Sequence, residues 1–371
     1  MRLYKFLLAS FGFIGILSFI ISGVNRVPIE KVSIASGIGY DIEKNVKGNI
    51  THSVPASYYI IENNKKSSKT VVTKGKTLAE TREDRQRKLD KKLILGYQRV
   101  YLISEEQASY GIRDIIDILF NSTQASDTTL VCICRGKAED ILKLNVDDYP
   151  SSADFIEGLL KYSSEYNFYP NNYKFIDVYA RVDSEGRNLV LPCIEYDKEN
   201  NIIKVSGLAI FKKDKMTNII GIKEAKILNL LRETNIMGMI TYEENPNIYI
   251  NYYGKSKRKV ECKKEGEKYK FVINLKVSGE VVANEKYKDI INSPKNKKEA
   301  EEKLAEVLTK EANDFISIMK NEHEMDCLEL GRIACAKYGR DTGVDWNEIV
   351  KNSDISVNVD IKIERLGKGD Y

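Results

Sequence analysis

The chain has 371 residues, of which 42% are hydrophobic and 30% are charged, and its formal net charge is +4. This composition is typical of a folded protein of two to three domains and excludes an intrinsically disordered chain. Because 58 Lys and Arg are nearly balanced by 54 Asp and Glu, the bulk charge also argues against a nucleic-acid-binding protein.

The longest apolar run of the chain lies at its N-terminus. Arg2 and Lys5 precede an uncharged run from Phe6 to Val24. As a helix, this run would cover about 28 Å, which is enough to span the core of a bilayer. The cations on its N-terminal side predict a cytoplasmic N-terminus with the rest of the chain outside. We therefore expect residues 1–24 to be a signal or signal-anchor helix that attaches the protein to the membrane.

The end of this run resembles the signal of a bacterial lipoprotein. Ile21-Ser22-Gly23 is a sequence that precedes a lipid-modified cysteine, but position 24 is valine. Since Val24 has no thiol, we expect no lipidation there. An uncleaved anchor from Phe6 to Val24 is favoured, and a cleaved signal with a weak cleavage site is the alternative.

Residues 25–145 alternate between strand and helix patterns, which predicts an N-terminal α+β domain. A pair of strands joined by the loop at 63–68 is followed by a charged helix. A second helix begins at Ser104, where two acidic residues suit the helix dipole. The predicted elements are strands at 32–40, 58–62, 69–73, 98–103 and 129–135 and helices at 77–89, 104–120 and 138–143.

Residues 146–237 form a second predicted block, the middle domain. Its apolar patterns predict a helix near Ala153 to Tyr162 and a strand from Lys174 to Arg181. The turn Asp183-Ser184-Glu185-Gly186 follows. Further strands are expected at 189–196 and 205–211 and a helix at 224–231.

Residues 238–371 are predicted to form a C-terminal α+β domain. Strands are expected within 241–262 and 269–282, followed by a long amphipathic helix at 295–320 and a shorter one at 328–338. The tail alternates strictly, since every odd position from Ile355 to Ile363 is Ile or Val. This pattern predicts that 355–364 is a half-buried antiparallel strand that closes the last sheet.

The residues that support common catalytic chemistries are scarce. His52 and His323 are the only histidines, and His323 with Cys327 would make at most one half of a tetrahedral metal site. Gly75-Lys76-Thr77 and Gly37-Ile38-Gly39 are incomplete versions of phosphate- and dinucleotide-binding turns. We therefore expect no catalytic residues, no metal and no cofactor, and the protein is predicted not to be an enzyme.

Two further features have alternative interpretations. The cysteines at 132, 134, 193, 262, 327 and 335 do not have the spacing of a disulfide framework, and buried free thiols are favoured. The cationic stretch from Lys255 to Lys270 is predicted to be the solvated face of a hairpin. Contact with anionic lipid headgroups is the alternative.

Taken together, these segments resemble the C-subunit family of spore nutrient germinant receptors, the Ger(x)C lipoproteins of endospore-forming bacteria. The resemblance covers nearly the whole chain, because the matching fragments occur in order. It begins at the lipobox-like residues 21–23 and Asn25-Arg26. The other matching fragments lie at 32–41, 74–80, 95–119, 134–142, 205–216, 295–319, 343–349 and 357–365.

The resemblance implies a three-domain α+β ectodomain of mixed and antiparallel sheets flanked by helices, preceded by one N-terminal signal or anchor helix. It implies a non-catalytic subunit on the extracytoplasmic face of the spore inner membrane, whose partners are the membrane-embedded A and B subunits of the receptor. Such a complex triggers germination in response to nutrients, and whether this subunit binds the nutrient itself stays open. Val24 departs from the family at the lipidated cysteine. The alternative is a membrane-anchored extracytoplasmic ligand-binding or adhesion protein unrelated to germination.

Overall fold

The fold is described from a computed structural model, which covers residues 4, 10, 12–15, 18, 28, 31–44, 46, 48–62, 65–287, 289–290, 292–340 and 343–366. The strands are β1 (Val32–Lys44), β2 (Ile50–Glu62), β3 (Lys65–Gly75), β4 (Lys92–Ile94), β5 (Val100–Ser104), β6 (Leu130–Cys134), β7 (Val190–Asp197), β8 (Ile202–Lys212), β9 (Lys215–Gly221), β10 (Met237–Asn245), β11 (Ile248–Glu265), β12 (Lys268–Asn284) and β13 (Asp354–Leu366). The helices are α1 (Leu78–Lys88), α2 (Glu105–Tyr110), α3 (Arg113–Phe120), α4 (Ala138–Leu142), α5 (Ser152–Tyr166), α6 (Phe175–Val182), α7 (Ile222–Arg232), α8 (Pro294–Ile318), α9 (Leu330–Tyr338) and α10 (Trp346–Lys351), with a short π-helical turn at Met319–His323.

The first nine strands form one mixed sheet in the order β3-β2-β1-β5-β6-β7-β8-β9, with β4 paired to β1. The four central strands, β1, β5, β6 and β7, are parallel. Strands β2 and β3 extend the sheet beyond β1 in the antiparallel direction, and β8 and β9 do the same beyond β7. Every residue of β5 and β6 is buried. This is expected of parallel strands that are covered on both faces. Helices α4 and α5 cover one face of the sheet.

The last four strands form a second sheet in the order β10-β11-β12-β13. Helix α8 begins at the N-cap Ser293, with Pro294 in its first turn, and packs against β13. Its buried stripe includes Ala300, Leu304 and Leu308. A single cluster of buried apolar side chains extends from Ala35 in the first sheet to Ile363 in the second.

The prediction that the tail strand is antiparallel is wrong. Strand β13 pairs with β12 in the parallel direction, from Lys270 opposite Asp354 to Val281 opposite Leu366. Three helices lie between these strands, and a helical crossover returns the chain to the same end of the sheet. The predicted alternation is correct, because Val357, Ile361 and Ile363 are buried. Alternation shows only that one face is covered, and it does not fix the direction of the strand.

Three predictions in the first 200 residues are also wrong. The loop predicted at 63–68 is shorter, because β3 begins at Lys65. The segment predicted as a strand at Lys174 to Arg181 is helix α6, whose buried residues Phe175, Val178 and Val182 have helical spacing. The helix predicted from Ser104 to Phe120 is interrupted at Gly111, whose φ of 142° separates α2 from α3. The Ser104 cap itself is present, because its hydroxyl accepts a hydrogen bond from Gln107 N.

Strands β6 and β7 pair across the predicted boundary at 145/146, so both predicted blocks contribute to the first sheet. The three-part division stays a prediction. Most of the predicted anchor, Phe6 to Val24, lies outside the described residues, and Val24 is among those outside. Among the described residues, no helix has the length and apolar character needed to cross a membrane.

Candidate functional site

The two histidines lie in different elements of the structure. His52 is buried in β2, and His323 lies at the end of the π-helical turn, where burial lowers its pKa. Within the described ranges, no three His, Cys, Asp or Glu side chains are grouped so that they could hold a metal ion. All six cysteines are buried and free, as predicted.

The glycine segments serve packing and helix capping. A β-carbon at Gly37 would lie 2.7 Å from Ala153 Cβ, and one at Gly39 would lie 2.8 Å from Ala138 Cβ, so both glycines let helices approach β1 closely. Thr77 caps α1 by accepting a hydrogen bond from Glu80 N. The Glu80 carboxylate in turn accepts a hydrogen bond from Lys76 N at 2.7 Å. This arrangement closely resembles a capping box.

The most elaborate polar site is a buried cluster of charges around Glu329, between the first sheet and the helices that cover the second. We call Glu329 and the four arginines that surround it the Glu329 cluster. Its carboxylate lies 2.8 Å from Arg232 Nη2 and 3.1 Å from Arg332 Nε. Arg187 Nε is at 3.4 Å and Arg181 Nε at 3.7 Å. Only 8% of the Glu329 side chain and 3% of the Arg232 side chain are exposed.

Charge complementarity within the cluster keeps Glu329 ionised. Burial alone would raise the pKa of this carboxyl group, but the surrounding guanidinium groups, Arg232 foremost, lower it below its usual value. Arg232 also donates hydrogen bonds to the backbone oxygens of Cys327 at 2.9 Å and Asn188 at 3.0 Å. The Arg232 side chain, at the end of α7, therefore links the segment around Asn188, just before β7, to the segment around Cys327, which follows α8 and the π-helical turn.

Asp326 organises the backbone beside the cluster. It is fully buried, which raises its pKa, and its carboxylate accepts hydrogen bonds from Leu328 N and Gly331 N at 2.9 and 2.7 Å. Asn188 donates to the Asp326 backbone oxygen at 3.0 Å. These bonds hold Glu329 in a left-handed conformation, with φ of 55°.

The turn at 183–186 makes close contact with α9. Gly186, with φ of 68°, lies against Gly331, so that a β-carbon at Gly186 would come within 2.4 Å of the Gly331 carbonyl carbon. The Trp346 indole donates a hydrogen bond to Glu185 Oε1 at 2.8 Å. The predicted turn at 183–186 is therefore a docking point between the two sheets.

Three open clefts of similar size lie on the described surface. The first, of about 550 Å³, is at the carboxyl ends of β1, β5 and β6, a place where α/β folds often bind ligands. Its buried Asp41 accepts hydrogen bonds from Ala138 N and Glu139 N and thereby caps α4. The second, of about 610 Å³, is beside the Glu329 cluster. The third, of about 560 Å³, is lined mainly by aromatic and aliphatic side chains of α5 and its neighbours; we call it the aromatic cleft.

The cationic stretch from Lys255 to Lys270 divides between the two faces of its hairpin. Lys255, Lys257 and Lys259 are exposed on β11. Arg258 points inward and donates a hydrogen bond to Leu328 O at 2.9 Å, beside the Glu329 cluster. Most of the stretch is thus the solvated face that the sequence predicts, and one of its cations belongs to the buried junction.

No local sequence pattern predicts the Glu329 cluster. Its residues lie in α6, the turn after it, α7, the residue before α9 and the first turn of α9, and no spacing rule relates them. One signal was available: Arg232 directly follows the apolar residues Leu230 and Leu231 in the predicted helix. A cation at the end of a buried run needs a buried partner. The identity of that partner requires the tertiary fold.

Comparisons with known proteins agree with this fold. Residues 25–196 match the family model "Spore germination protein N-terminal domain", and residues 206–367 match "Spore germination B3/GerAC like, C-terminal". YfkR of Bacillus subtilis (strain 168), a putative spore germination protein, is 27% identical over 143 residues, which are 38% of this chain and 37% of that protein. The crystal structure of the GerBC protein matches 88% of this chain and 97% of that chain with a TM-score of 0.54. At 16% identity, this last match shows a shared α+β fold.

Proposed function

The chain belongs to the GerAC family of spore germination proteins, and we propose that it is the non-catalytic C subunit of a spore nutrient germinant receptor. The observation that carries this proposal is the match of both family models, in order, over residues 25–196 and 206–367. The fold shared with the GerBC protein supports it.

We further propose that the protein acts together with A and B membrane subunits on the extracytoplasmic face of the spore inner membrane. The apolar run from Phe6 to Val24 would be its tether, and the cations before this run favour that orientation. Because Val24 cannot carry a thioether-linked lipid, attachment would depend on the apolar segment. A segment of this length anchors a protein more firmly than a single acyl chain.

A subunit without catalysis acts by binding its partners and by transmitting their conformational changes. The Glu329 cluster suits such a role, because it ties the turn at 183–188 in the first sheet to the segment at 326–332 beside the second. A displacement of one sheet would therefore be passed to the other. Direct binding of the nutrient by this chain is not required.

Co-purification tests the assignment of partners. The full chain, tagged at its C-terminus and expressed at its natural level, is recovered from detergent-solubilised spore inner membranes and analysed by mass spectrometry. We expect A- and B-type receptor subunits to be enriched over a preparation from an unrelated tagged protein of the same membrane. Recovery of the chain without either subunit would favour an anchored binding or adhesion protein unrelated to germination.

A further inference from the structure

The aromatic cleft has a lining that differs from those of the other two clefts. It is bounded by α5, by the residues that follow α5, by Val205 of β8 and by Ile222 at the start of α7. None of the described residues that line it is charged, whereas each of the other clefts is lined by several charged side chains. A charged ligand group would lose its hydration here without gaining an ionic partner. The lining therefore selects an uncharged ligand.

Aromatic rings form much of the wall. The rings of Tyr149 and Phe155 meet edge to face, with centroids 5.2 Å apart. Tyr162 is 70% exposed and Tyr149 is 44% exposed, so both rings are accessible to a molecule in the cleft. Tyr169 is buried and fixed in place by a hydrogen bond from its hydroxyl to Gly207 O at 3.0 Å. These rings offer both faces and edges to a planar ligand.

The space of the cleft depends on a glycine inside a helix. Gly158 lies in the middle of α5, and a β-carbon there would meet no atom of the described residues within 4 Å outside the backbone of the helix itself. A glycine at such a position destabilises a helix by roughly 0.5–1 kcal/mol relative to alanine. Nothing in the packing of the described residues requires it, and a larger side chain would project into the cleft.

We propose that the aromatic cleft is a binding site for a small uncharged aromatic molecule. Its volume of about 560 Å³ lies within the range of small-molecule sites. The ligand ring would pack over Gly158 against the tyrosine rings. The amide of Asn167, which can donate and accept, would orient a polar substituent. This inference is independent of the proposed receptor role, because it depends only on the geometry of the cleft.

A titration of the full chain in detergent with 4-methylphenol, followed by saturation-transfer NMR, tests the proposal. The chain with Gly158→Leu is the reference for non-specific signal from the micelles, because the leucine takes up the space directly over position 158 and should stabilise α5. We expect 4-methylphenol to saturate the unaltered chain at millimolar concentrations. We expect Gly158→Leu to weaken binding at least about tenfold, since the leucine takes the place of the ligand ring.

Matched variants and probes complete the experiment. Glu165→Leu adds the same side chain at an exposed position of α5 that does not line the cleft, and it should bind as the unaltered chain does. Tyr162→Ala removes one exposed ring of the wall and should weaken binding several-fold without loss of folding. The carboxylate probe 4-methylbenzoate should bind more weakly than 4-methylphenol. Equal signals from the unaltered and Gly158→Leu chains, or tighter binding of 4-methylbenzoate, would overturn the proposal.

Discussion

Arg232 Nη2 lies 2.8 Å from Glu329 Oε1, although 97 positions of sequence separate these residues. Arg232 ends the helix that precedes the second sheet, and Glu329 lies just before α9, which packs on that sheet. With Asn188 held by the same guanidinium group, this contact joins three distant parts of the chain. The buried ion pair and the arginines that share its carboxylate therefore add to the shared apolar core in fixing the relative positions of these parts.

Neutralising Glu329 should destabilise the fold strongly. Glu329→Gln nearly keeps the shape of the side chain but removes its charge. Among the described residues, the only other carboxylate that forms an ion pair with one of the four arginines is that of Glu233, beside Arg232. Breaking a buried ion pair on one side typically costs about 3–5 kcal/mol. Urea unfolding of the full chain measures the loss. As a control, Glu106→Gln, whose pair with Lys44 is half exposed, should change stability by less than about 0.5 kcal/mol.

The contribution of Glu329 should depend on pH in a defined direction. Its pKa is lowered in the folded state, so its stabilisation is complete above the unfolded value of about 4.3 and is lost as the pH falls through the folded pKa. The difference in unfolding free energy between the unaltered chain and Glu329→Gln should thus be largest near neutral pH and should shrink below about pH 4. Asp326, whose pKa is raised by burial, is present in both proteins, so it enters the difference only through a change in its pKa between them. A difference that grows on acidification would contradict the assignment.

The contact between Gly186 and Gly331 should not accept a side chain. Gly186→Ala would place a methyl group 2.4 Å from the Gly331 carbonyl carbon and would also have an unfavourable positive φ. Gly343 has nearly the same φ, 70° against 68°, but no atom of the described residues lies within 4 Å of its β-carbon position. Gly343→Ala therefore measures the backbone strain alone, of roughly 1 kcal/mol. Gly186→Ala should lower the melting temperature clearly more than this control, and equal shifts would show that the two segments do not pack as described.

The elements that were predicted correctly are those whose own sequence carries the information. The helix start at Ser104, the turn at 183–186 and the alternation of Val357, Ile361 and Ile363 are local patterns. Helix α6 was mistaken for a strand because its aromatic and β-branched residues favour strands, and tertiary packing outweighed that preference. The direction of β13 and the Glu329 cluster depend on contacts between distant segments, which no local pattern encodes.

The tail strand should be essential to the second sheet. Ile361 is 4% exposed, and Ile361→Ala should destabilise the chain by about 2–4 kcal/mol. Its neighbour Lys362 points to the open face, so Lys362→Ala should have an effect within about 0.5 kcal/mol. Removal of residues 354–371 should make the protein insoluble or sensitive to protease. A truncated chain with an unchanged melting curve would show that β13 is not part of the core.

The most direct test of the receptor role is the germination of spores that lack this chain. The gene is deleted in a strain whose other germinant receptor operons have been removed, and nutrient-triggered germination is compared with germination forced by calcium dipicolinate. A receptor subunit acts upstream of cortex breakdown, so the nutrient response should be abolished or strongly slowed while the calcium dipicolinate response stays normal. Deletion spores that respond to every nutrient at the parental rate would contradict the proposed function.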